Sequence, residues 1–279
     1  MDQQLHRELL IINSSHYTGD GYTFKYNLGR LVDFTKPGAS VALYNLAMYN
    51  STYNISTKFG NNTFSIQWID NTVLNVTIPD GYYSYEDLSN LIQYHLIQNN
   101  WYWIVNNVAV YPITCTANTA RYASQINIVP VPTASSGATK PNDATWNFPS
   151  VSITPSITIN PKLGKIFGYS AQLTFPPTPQ STAYSYVSDI TPQISPVYTY
   201  VITCNLLNTE ISTNINNVLT QLPLNNSFGG LVTLNNLIPL PIHISQGKYS
   251  EIIIKFLDQN LIPINIIDID ITIILILEY

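Results

Sequence analysis

Charged residues are scarce in this chain. It has 279 residues, of which 10% are charged, with 11 Lys+Arg against 16 Asp+Glu. A typical globular domain carries about 25% charged residues. The few cations are scattered, and no run of Lys or Arg occurs. This pattern argues against binding of nucleic acid through a basic patch, because such binding depends on clustered cations that neutralise phosphates.

The low charge is combined with a hydrophobic content of 45%. A disordered chain would show the opposite composition, with low hydrophobicity and high net charge. A folded monomer with so few charges has little solubilising surface. We therefore expect a surface of neutral polar groups, or a surface that is largely covered by other chains.

Long uninterrupted apolar runs and an apolar leader are also missing. The most apolar stretch, Leu261 to Leu277, is interrupted by Pro263, Asn265, Asp268 and Asp270. A membrane-spanning helix needs about 20 mostly apolar residues, so we expect no membrane span. The first ten residues do not show the basic and then apolar pattern of a signal peptide, so we do not expect the secretory route.

Cysteine is rare, with Cys115 and Cys204 as the two examples. Each lies in a β-like run, which favours structural thiols that are buried as small hydrophobic side chains. Spacing alone does not decide whether they form a disulfide. The pair does not have the Cys-x-x-Cys spacing of a metal or redox site.

Motifs that would carry catalysis are not found. The four histidines are dispersed, and none stands in a ligand motif: His6, His16, His95 and His243. We expect no catalytic residue, no resident metal and no cofactor. Asp268 and Asp270 would lie on the same side of a strand, where they would either hold a divalent cation or simply face solvent. A lone Asp-x-Asp pair is a weak signal, and we favour the solvent-facing interpretation.

Strand patterns dominate what is present. Thr63–Ile69 and Thr72–Ile78 are separated by an Asp-Asn turn signal, which predicts a hairpin. At the end of the chain, Ser250–Leu257 and Ile271–Leu277 predict a β pair. The last run is apolar and β-branched, so it must be an interior strand or be covered in an oligomer. Many strands with Pro/Gly turns indicate an all-β sandwich or barrel.

One amphipathic helix is predicted over about residues 84–98. Ser84 and Asp87 have the spacing of an N-terminal capping box. Apolar residues then recur at intervals of three and four, which places them on one helix face. Two Pro-rich stretches, 130–155 and 176–196, predict long loops or a small insertion.

Trp101 and Trp103 flank a tyrosine in an aromatic cluster. Such rings can stack on a sugar or a base, and these two residues are the candidates for contact with a glycan or receptor. The alternative is that both rings share one strand face and pack in the core, and we favour this interpretation.

The order of several short motifs resembles one known family. The motifs run from Asn54-Ile-Ser56 through Ile78-Pro-Asp-Gly-Tyr-Tyr83 to Leu163-Gly-Lys-Ile-Phe-Gly-Tyr-Ser170, and then to Leu257-Asp-Gln259 before a last apolar strand. In this order, from about Tyr22 to the C-terminus, they resemble the penton (minor capsid, vertex) proteins of virophages and of Maverick/Polinton-like viruses. These belong to the capsid lineage that includes the adenovirus penton base. The tail departs from the family pattern at Asp268-Ile-Asp270, which leaves the subfamily open.

The resemblance implies a single jelly-roll antiparallel β-sandwich, with residues 1–279 forming one domain and the Pro-rich stretches forming loops or a small insertion. It also implies a structural, non-enzymatic role. The expected assembly is a homopentamer at an icosahedral vertex of the virion, formed in the infected host cell. The expected partners are the major capsid protein, a double jelly roll, and other minor capsid proteins.

Two other functions fit the residues less well. A carbohydrate- or receptor-binding β-sandwich module would use the Trp and Tyr residues. A jelly-roll metal enzyme of the cupin kind would need clustered histidines with a carboxylate, and no such spacing occurs in the sequence.

Overall fold

The structure, a computed structural model, describes residues 6–35, 38–207 and 217–279. Within these ranges the regular secondary structure consists mainly of antiparallel strands. The strands are β1 (Arg7–Asn13), β2 (Thr23–Asp33), β3 (Ser40–Tyr49), β4 (Thr63–Gln67), β5 (Val73–Thr77), β6 (Trp103–Val105), β7 (Val108–Val110), β8 (Ile113–Asn118), β9 (Ala123–Ile128), β10 (Ser156–Ile159), β11 (Thr174–Phe175), β12 (Tyr184–Val187), β13 (Thr199–Cys204), β14 (Val218–Pro223), β15 (Leu231–Asn235), β16 (Ile242–His243), β17 (Lys248–Leu257) and β18 (Thr272–Glu278). Two α-helices accompany them, α1 (Tyr85–Gln98) and α2 (Pro161–Phe167).

The chain divides into two compact units. The first unit consists of residues 1–52 and 197–279, and the second consists of residues 53–196. The segment between β3 and β13 is therefore larger than the loops or small insertion expected from the Pro-rich stretches. The prediction that residues 1–279 form one domain stays a prediction, because the division describes compactness only.

The strands of the first unit form two sheets. One sheet, which we call sheet 1, has the order β1-β18-β3-β15, with β16 also pairing with β3. The other, sheet 2, has the order β14-β13-β17-β2. The pairs are nested along the chain: β1 with β18, β2 with β17, β3 with β15, and β13 with β14. This nesting, with four strands in sheet 2 and four strands plus the short β16 in sheet 1, is the topology of a jelly roll. The all-β jelly-roll prediction is confirmed for this unit.

The core of the first unit lies between its two sheets. Alternate residues of β1, such as Leu10 and Ile12, are buried, while their neighbours in the strand are exposed. Phe24, Ile254 and Phe256 supply the core from sheet 2. The period of two places one set of side chains inside and the other outside.

The terminal strands do not pair with each other as the sequence predicted. β17 lies between β13 and β2 in sheet 2, whereas β18 lies between β1 and β3 in sheet 1. The β-pair prediction is therefore wrong, because the segment between the two strands crosses from one sheet to the other. The expectation of an interior last strand is confirmed, since β18 is paired along both edges.

The second unit has its own core. Its sheets have the orders β11-β10-β4-β5, β12-β9-β8 and β6-β7. The predicted hairpin is present as β4 and β5. Helix α1 begins after Ser84, and Ser84 and Asp87 form the predicted capping box. Its buried residues Leu88, Ile92 and Leu96 face the core. The stretch 130–155 has no strand of its own, yet Trp146 within it is buried.

Candidate functional site

The short motifs of the sequence stabilise turns and corners of the second unit. Ile55 and Gly81 exchange backbone hydrogen bonds of 3.1 and 3.0 Å. The buried Asn54 side chain accepts a hydrogen bond from the Tyr83 N–H (2.9 Å) and donates to the Tyr83 carbonyl (2.8 Å). The Thr57 N–H donates to the Asp80 carboxylate at 2.7 Å. Two motifs that are far apart in sequence thus form one hydrogen-bonded corner, with a structural role.

The Leu163–Ser170 motif forms most of α2 and its C-terminal cap. Gly168 takes a positive φ of 86° at this cap, which a residue with a Cβ rarely adopts. Gly164 has no room for a Cβ, because the Tyr169 carbonyl oxygen would lie 2.6 Å from it. The stretch is helical, which the sequence patterns described above did not predict.

Trp101 and Trp103 are buried, each with 5% of its surface exposed. The Trp101 ring stacks on Trp68 at a centroid distance of 5.4 Å, and Trp146 meets the same Trp68 ring edge-on. The structure therefore shows the packing role that sequence analysis favoured. Contact of these two residues with a glycan or receptor stays a prediction.

Cys115 and Cys204 are both buried and free of a disulfide. Burial in apolar surroundings raises the pKa of each thiol to about 12, because a thiolate is poorly solvated there. At neutral pH both remain protonated and behave as small hydrophobic side chains.

The polar candidates for metal binding are separate from one another. Among the described residues, no group of three or more His, Cys, Asp or Glu side chains is close enough to hold a metal ion. Asp268 and Asp270 precede β18 instead of lying in a strand, and the Asp268 carboxylate accepts a hydrogen bond from the Asp270 N–H at 3.0 Å. His95 is half-buried, and desolvation lowers its pKa. Within the part of the chain that the structure covers, no helix has both the length and the apolar character needed to cross a bilayer.

The surface feature that distinguishes the first unit is the outer side of sheet 1. Leu9 lies opposite Ile276, and Ile11 lies opposite Ile274, so two apolar rows cross from β1 to β18. Leu9 is 56% exposed and Ile11 is 49% exposed. We call Leu9, Ile11, Ile274 and Ile276 the apolar face. Its exposed members are Leu9 and Ile11, whereas Ile274 is partly buried and Ile276 is buried. At its end, Arg7 and Glu278 neutralise each other in an ion pair of 3.2 Å.

A second apolar feature lies beside this face. Residues 237–240 follow β15, and we call them the 237–240 segment. Leu237, Ile238 and Leu240 are 93%, 90% and 79% exposed. The segment leaves the sheet at Asn236, whose N–H donates to the Tyr44 carbonyl at 3.0 Å. Pro239 lines a groove together with Ile276 of the apolar face.

The outer side of sheet 2 is different. It carries Lys25, Glu251 and Lys255, which we call the charged face. The Lys25 ammonium lies 2.7 Å from the Glu251 carboxylate. Charged side chains on an outer surface keep it hydrated and disfavour contact with an apolar partner.

This arrangement suits assembly better than catalysis. Exposed contiguous apolar surface marks interaction sites in soluble proteins. The low charge predicted a surface of neutral polar groups or a covered surface, but it did not indicate where a covered surface would lie. The residues of the 237–240 segment are a Leu-Ile-Pro-Leu run. Its exposure depends on tertiary structure, because a buried strand and a projecting loop can share this composition.

Two of the solved structures that resemble this chain are viral proteins. No family model and no curated protein matches this chain. The mavirus penton protein is similar to it with 12% identity and a TM-score of 0.46, over 99% of this chain and 99% of the other. A chain in the cryo-EM structure of the Sputnik virophage has 11% identity and a TM-score of 0.41, over 99% of this chain and 98% of the other.

Proposed function

We propose that this chain is a structural capsid protein that forms the homopentameric vertex of an icosahedral virion. In this role it contacts the capsomers of a double-jelly-roll major capsid protein and other minor capsid proteins, and it assembles in the infected host cell. The whole chain, residues 1–279, acts as one jelly-roll domain that carries residues 53–196 between β3 and β13. The role is non-enzymatic.

The observation that carries this proposal is a complete jelly roll with an apolar outer face. The jelly roll is common in viral capsid proteins, but it also occurs in lectins and in cupins. Fold alone therefore does not decide between these functions. The apolar face favours assembly, because it presents hydrophobic side chains where an isolated soluble domain would carry polar ones.

The exposed apolar groups are large enough to drive association. Complete burial of a Leu or Ile side chain contributes about 1.5–3 kcal/mol. Leu237 and Ile238 are almost fully exposed, and Leu9 and Ile11 are about half exposed. A ring of five copies uses two different patches of each subunit, because a cyclic contact is heterologous. The two edges of sheet 1 offer such a pair of patches, one at β1 and one at β15 with the adjoining 237–240 segment.

Mass measurement of the purified full chain tests the proposal. We expect native mass spectrometry to show a species of five copies. In co-expression with the major capsid protein, we expect density for this chain at the five-fold vertices in cryo-EM reconstructions. The matched control is Lys255→Glu on the charged face, which should assemble like the wild type. A chain that stays monomeric at all concentrations and is missing from the capsids would overturn the proposal.

A further inference from the structure

The free edge of β1 carries unpaired backbone groups. His6 and Tyr279 exchange backbone hydrogen bonds of 2.8 and 2.9 Å at the start of the β1–β18 ladder. In an antiparallel pair, bonded and non-bonded residue pairs alternate. The register of β1 and β18 has no bulge. The backbone N–H and C=O groups of Arg7, Leu9 and Ile11 therefore point away from β18, toward an edge where no described strand pairs.

The opposite edge of sheet 1 is β15. The Asn50 N–H donates to the Gly230 carbonyl at 2.9 Å, and the Asn236 N–H donates to the Tyr44 carbonyl at 3.0 Å. The even-numbered residues of β15 thus bond to β3. By the same alternation, Leu231, Thr233 and Asn235 direct their backbone groups to the free edge. The Leu231 carbonyl also accepts a hydrogen bond from the Asn226 side-chain amide, so its second lone pair is the one that faces a neighbouring strand.

A free strand edge of this kind promotes aggregation unless it is covered. Natural edge strands usually carry Lys, Pro or a bulge that prevents pairing with another chain. β1 has no Lys and no Pro, and its outward-facing centre is Leu9 and Ile11. The edge of β1 therefore has the features of a site that accepts a strand.

We infer that β1 of one copy pairs antiparallel with β15 of the next copy, so that sheet 1 continues from subunit to subunit. This inference rests on the proposed pentamer and names the surface that holds it together. We assign the register in which Leu9 lies opposite Thr233 of the next copy and Ile11 lies opposite Leu231.

Strand direction supports this pairing. The pairs β1–β18, β18–β3 and β3–β15 are all antiparallel, so β1 and β15 run in opposite directions within one sheet. A rotation about an axis along the strands preserves these directions. The β1 edge of one copy and the β15 edge of its neighbour therefore meet in the antiparallel orientation that a ladder requires.

Side-chain facing supports it as well. The residues that face the free edge of β1 are also those whose side chains lie on the outer side of sheet 1, and the same holds for Leu231, Thr233 and Asn235. Outer side chains thus meet outer side chains across the contact. Ile11 would meet the apolar Leu231, and Arg7 would meet the neutral Asn235, so no like charges are opposed.

A proline substitution distinguishes the contribution of backbone hydrogen bonds to the contact between copies from that of side-chain packing. Leu9→Pro removes the N–H that points to the free edge and leaves the hydrogen bonds of the β1–β18 ladder in place. The matched control is Leu9→Val, which keeps the N–H. We expect the wild type and Leu9→Val to form pentamers in native mass spectrometry, and Leu9→Pro to be monomeric with an unchanged circular dichroism spectrum. Pentamers of folded Leu9→Pro would overturn the inference.

A disulfide test keeps the inference falsifiable if Leu9→Pro does not fold. Directly opposed, hydrogen-bonded residues have Cα atoms about 5.5 Å apart, which suits a disulfide. Within one copy, β1 and β15 are three strand spacings apart, roughly 14 Å, so an internal link cannot form. Both natural cysteines are buried and do not compete.

The double variant Leu9→Cys/Thr233→Cys should give covalent oligomers of up to five copies on a non-reducing gel, and the control Leu9→Cys/Lys255→Cys should not. Dimers from Leu9→Cys alone would indicate β1–β1 pairing and overturn the assigned contact. If the wild type forms pentamers but the double variant forms no cross-link, the assigned contact is overturned and the proposed function stands. A wild-type chain that is monomeric would overturn the proposed function itself.

Discussion

The two outer sides of the jelly roll differ at their centres, although sheet 2 also exposes Leu31 and sheet 1 also carries the Arg7–Glu278 ion pair. Sheet 1 presents the apolar face, with Leu9 and Ile11 about half exposed. Sheet 2 presents the charged face, with Lys25 and Glu251 in an ion pair. The inner sides of both sheets contribute apolar residues to one core. The difference between the sheets therefore lies outside the core, where folding of the unit does not require it.

This difference shows which surfaces account for the low overall charge. Folding requires apolar residues only on the inner side of each sheet, and the charged face meets that requirement with charged residues outside. The apolar face has hydrophobic residues on both sides of β1 and β18. Such two-sided strands are typical of sheets that are covered. The scarcity of charge is thus a property of particular surfaces.

Removal of the strand between β1 and β3 should have the largest effect. Deletion of Ile271–Tyr279 removes β18, which pairs with both neighbours and supplies Ile273, Leu275 and Leu277 to the core. We expect no soluble folded protein, as judged by expression and circular dichroism. A soluble truncated chain with native strand content would contradict the position of β18.

Charges on the 237–240 segment should weaken association without unfolding the unit. Leu237→Glu/Leu240→Glu removes two exposed apolar groups worth about 1.5–3 kcal/mol each when buried. We expect the dissociation constant of the oligomer to rise by about two powers of ten or more in analytical ultracentrifugation. The melting temperature of the isolated subunit should be unchanged. Equal weakening by Lys255→Glu would remove the distinction between the faces.

Substitutions at two neighbouring residues of β1 distinguish the contribution of the core to stability from that of the outer side of sheet 1. Ile12→Ala affects a fully buried side chain and should lower the free energy of unfolding by about 2–5 kcal/mol. Ile11→Ala affects an exposed side chain and should change this free energy by about 0.5 kcal/mol or less. Urea unfolding of the monomer measures both values. Similar losses for the two variants would show that the apolar face is already covered within the subunit.

The ion pair of the charged face should matter little. Lys25→Ala removes the contact with Glu251, and both side chains are substantially exposed. We expect a loss of about 0.2–1 kcal/mol at low salt. This loss should vanish in 1 M NaCl, where the Debye length is about 3 Å. A larger loss that persists at high salt would mean that the charged face is also a packed surface.

Acid should weaken sheet 2 slightly and leave the apolar face unaffected. Hydrogen bonds from the side chain and backbone of Thr35 hold the pKa of Asp33 below its usual value of 3.8, with a smaller contribution from Lys248. A lowered pKa gives stability above the unfolded-state pKa, and this stability is lost as the pH falls through the folded-state value. The difference in urea midpoint between wild type and Asp33→Asn should therefore shrink below about pH 4. A constant difference from pH 6 to pH 3 would contradict this assignment.

Local signals predicted single elements well. The capping box at Ser84 and Asp87 placed the start of α1 one residue from its observed position, because a cap acts within one helical turn. The hairpin of β4 and β5 was also predicted, since its turn and alternation are local. The Asn106–Asn107 turn between β6 and β7 was missed, although positive φ values of 49° and 63° are typical of Asn in such turns.

Strand partners were less predictable. The two terminal strands looked like a pair because they are close in sequence, but they belong to different sheets. Pairing in a jelly roll joins strands from opposite ends of the chain, such as β1 with β18. No local pattern encodes such a partner, because any apolar strand can form hydrogen bonds and pack with any other apolar strand.

The sequence by itself determined the all-β class, the position of α1, the buried thiols and the deficit of charge. These follow from composition and from patterns within one turn or one strand. Only the tertiary structure decided that β18 is central in sheet 1, that residues 53–196 stand between β3 and β13, and that Leu9 and Ile11 face outward. The physical reason is that hydrophobic burial is non-directional, so an apolar side chain encodes a need for cover but not the identity of what covers it.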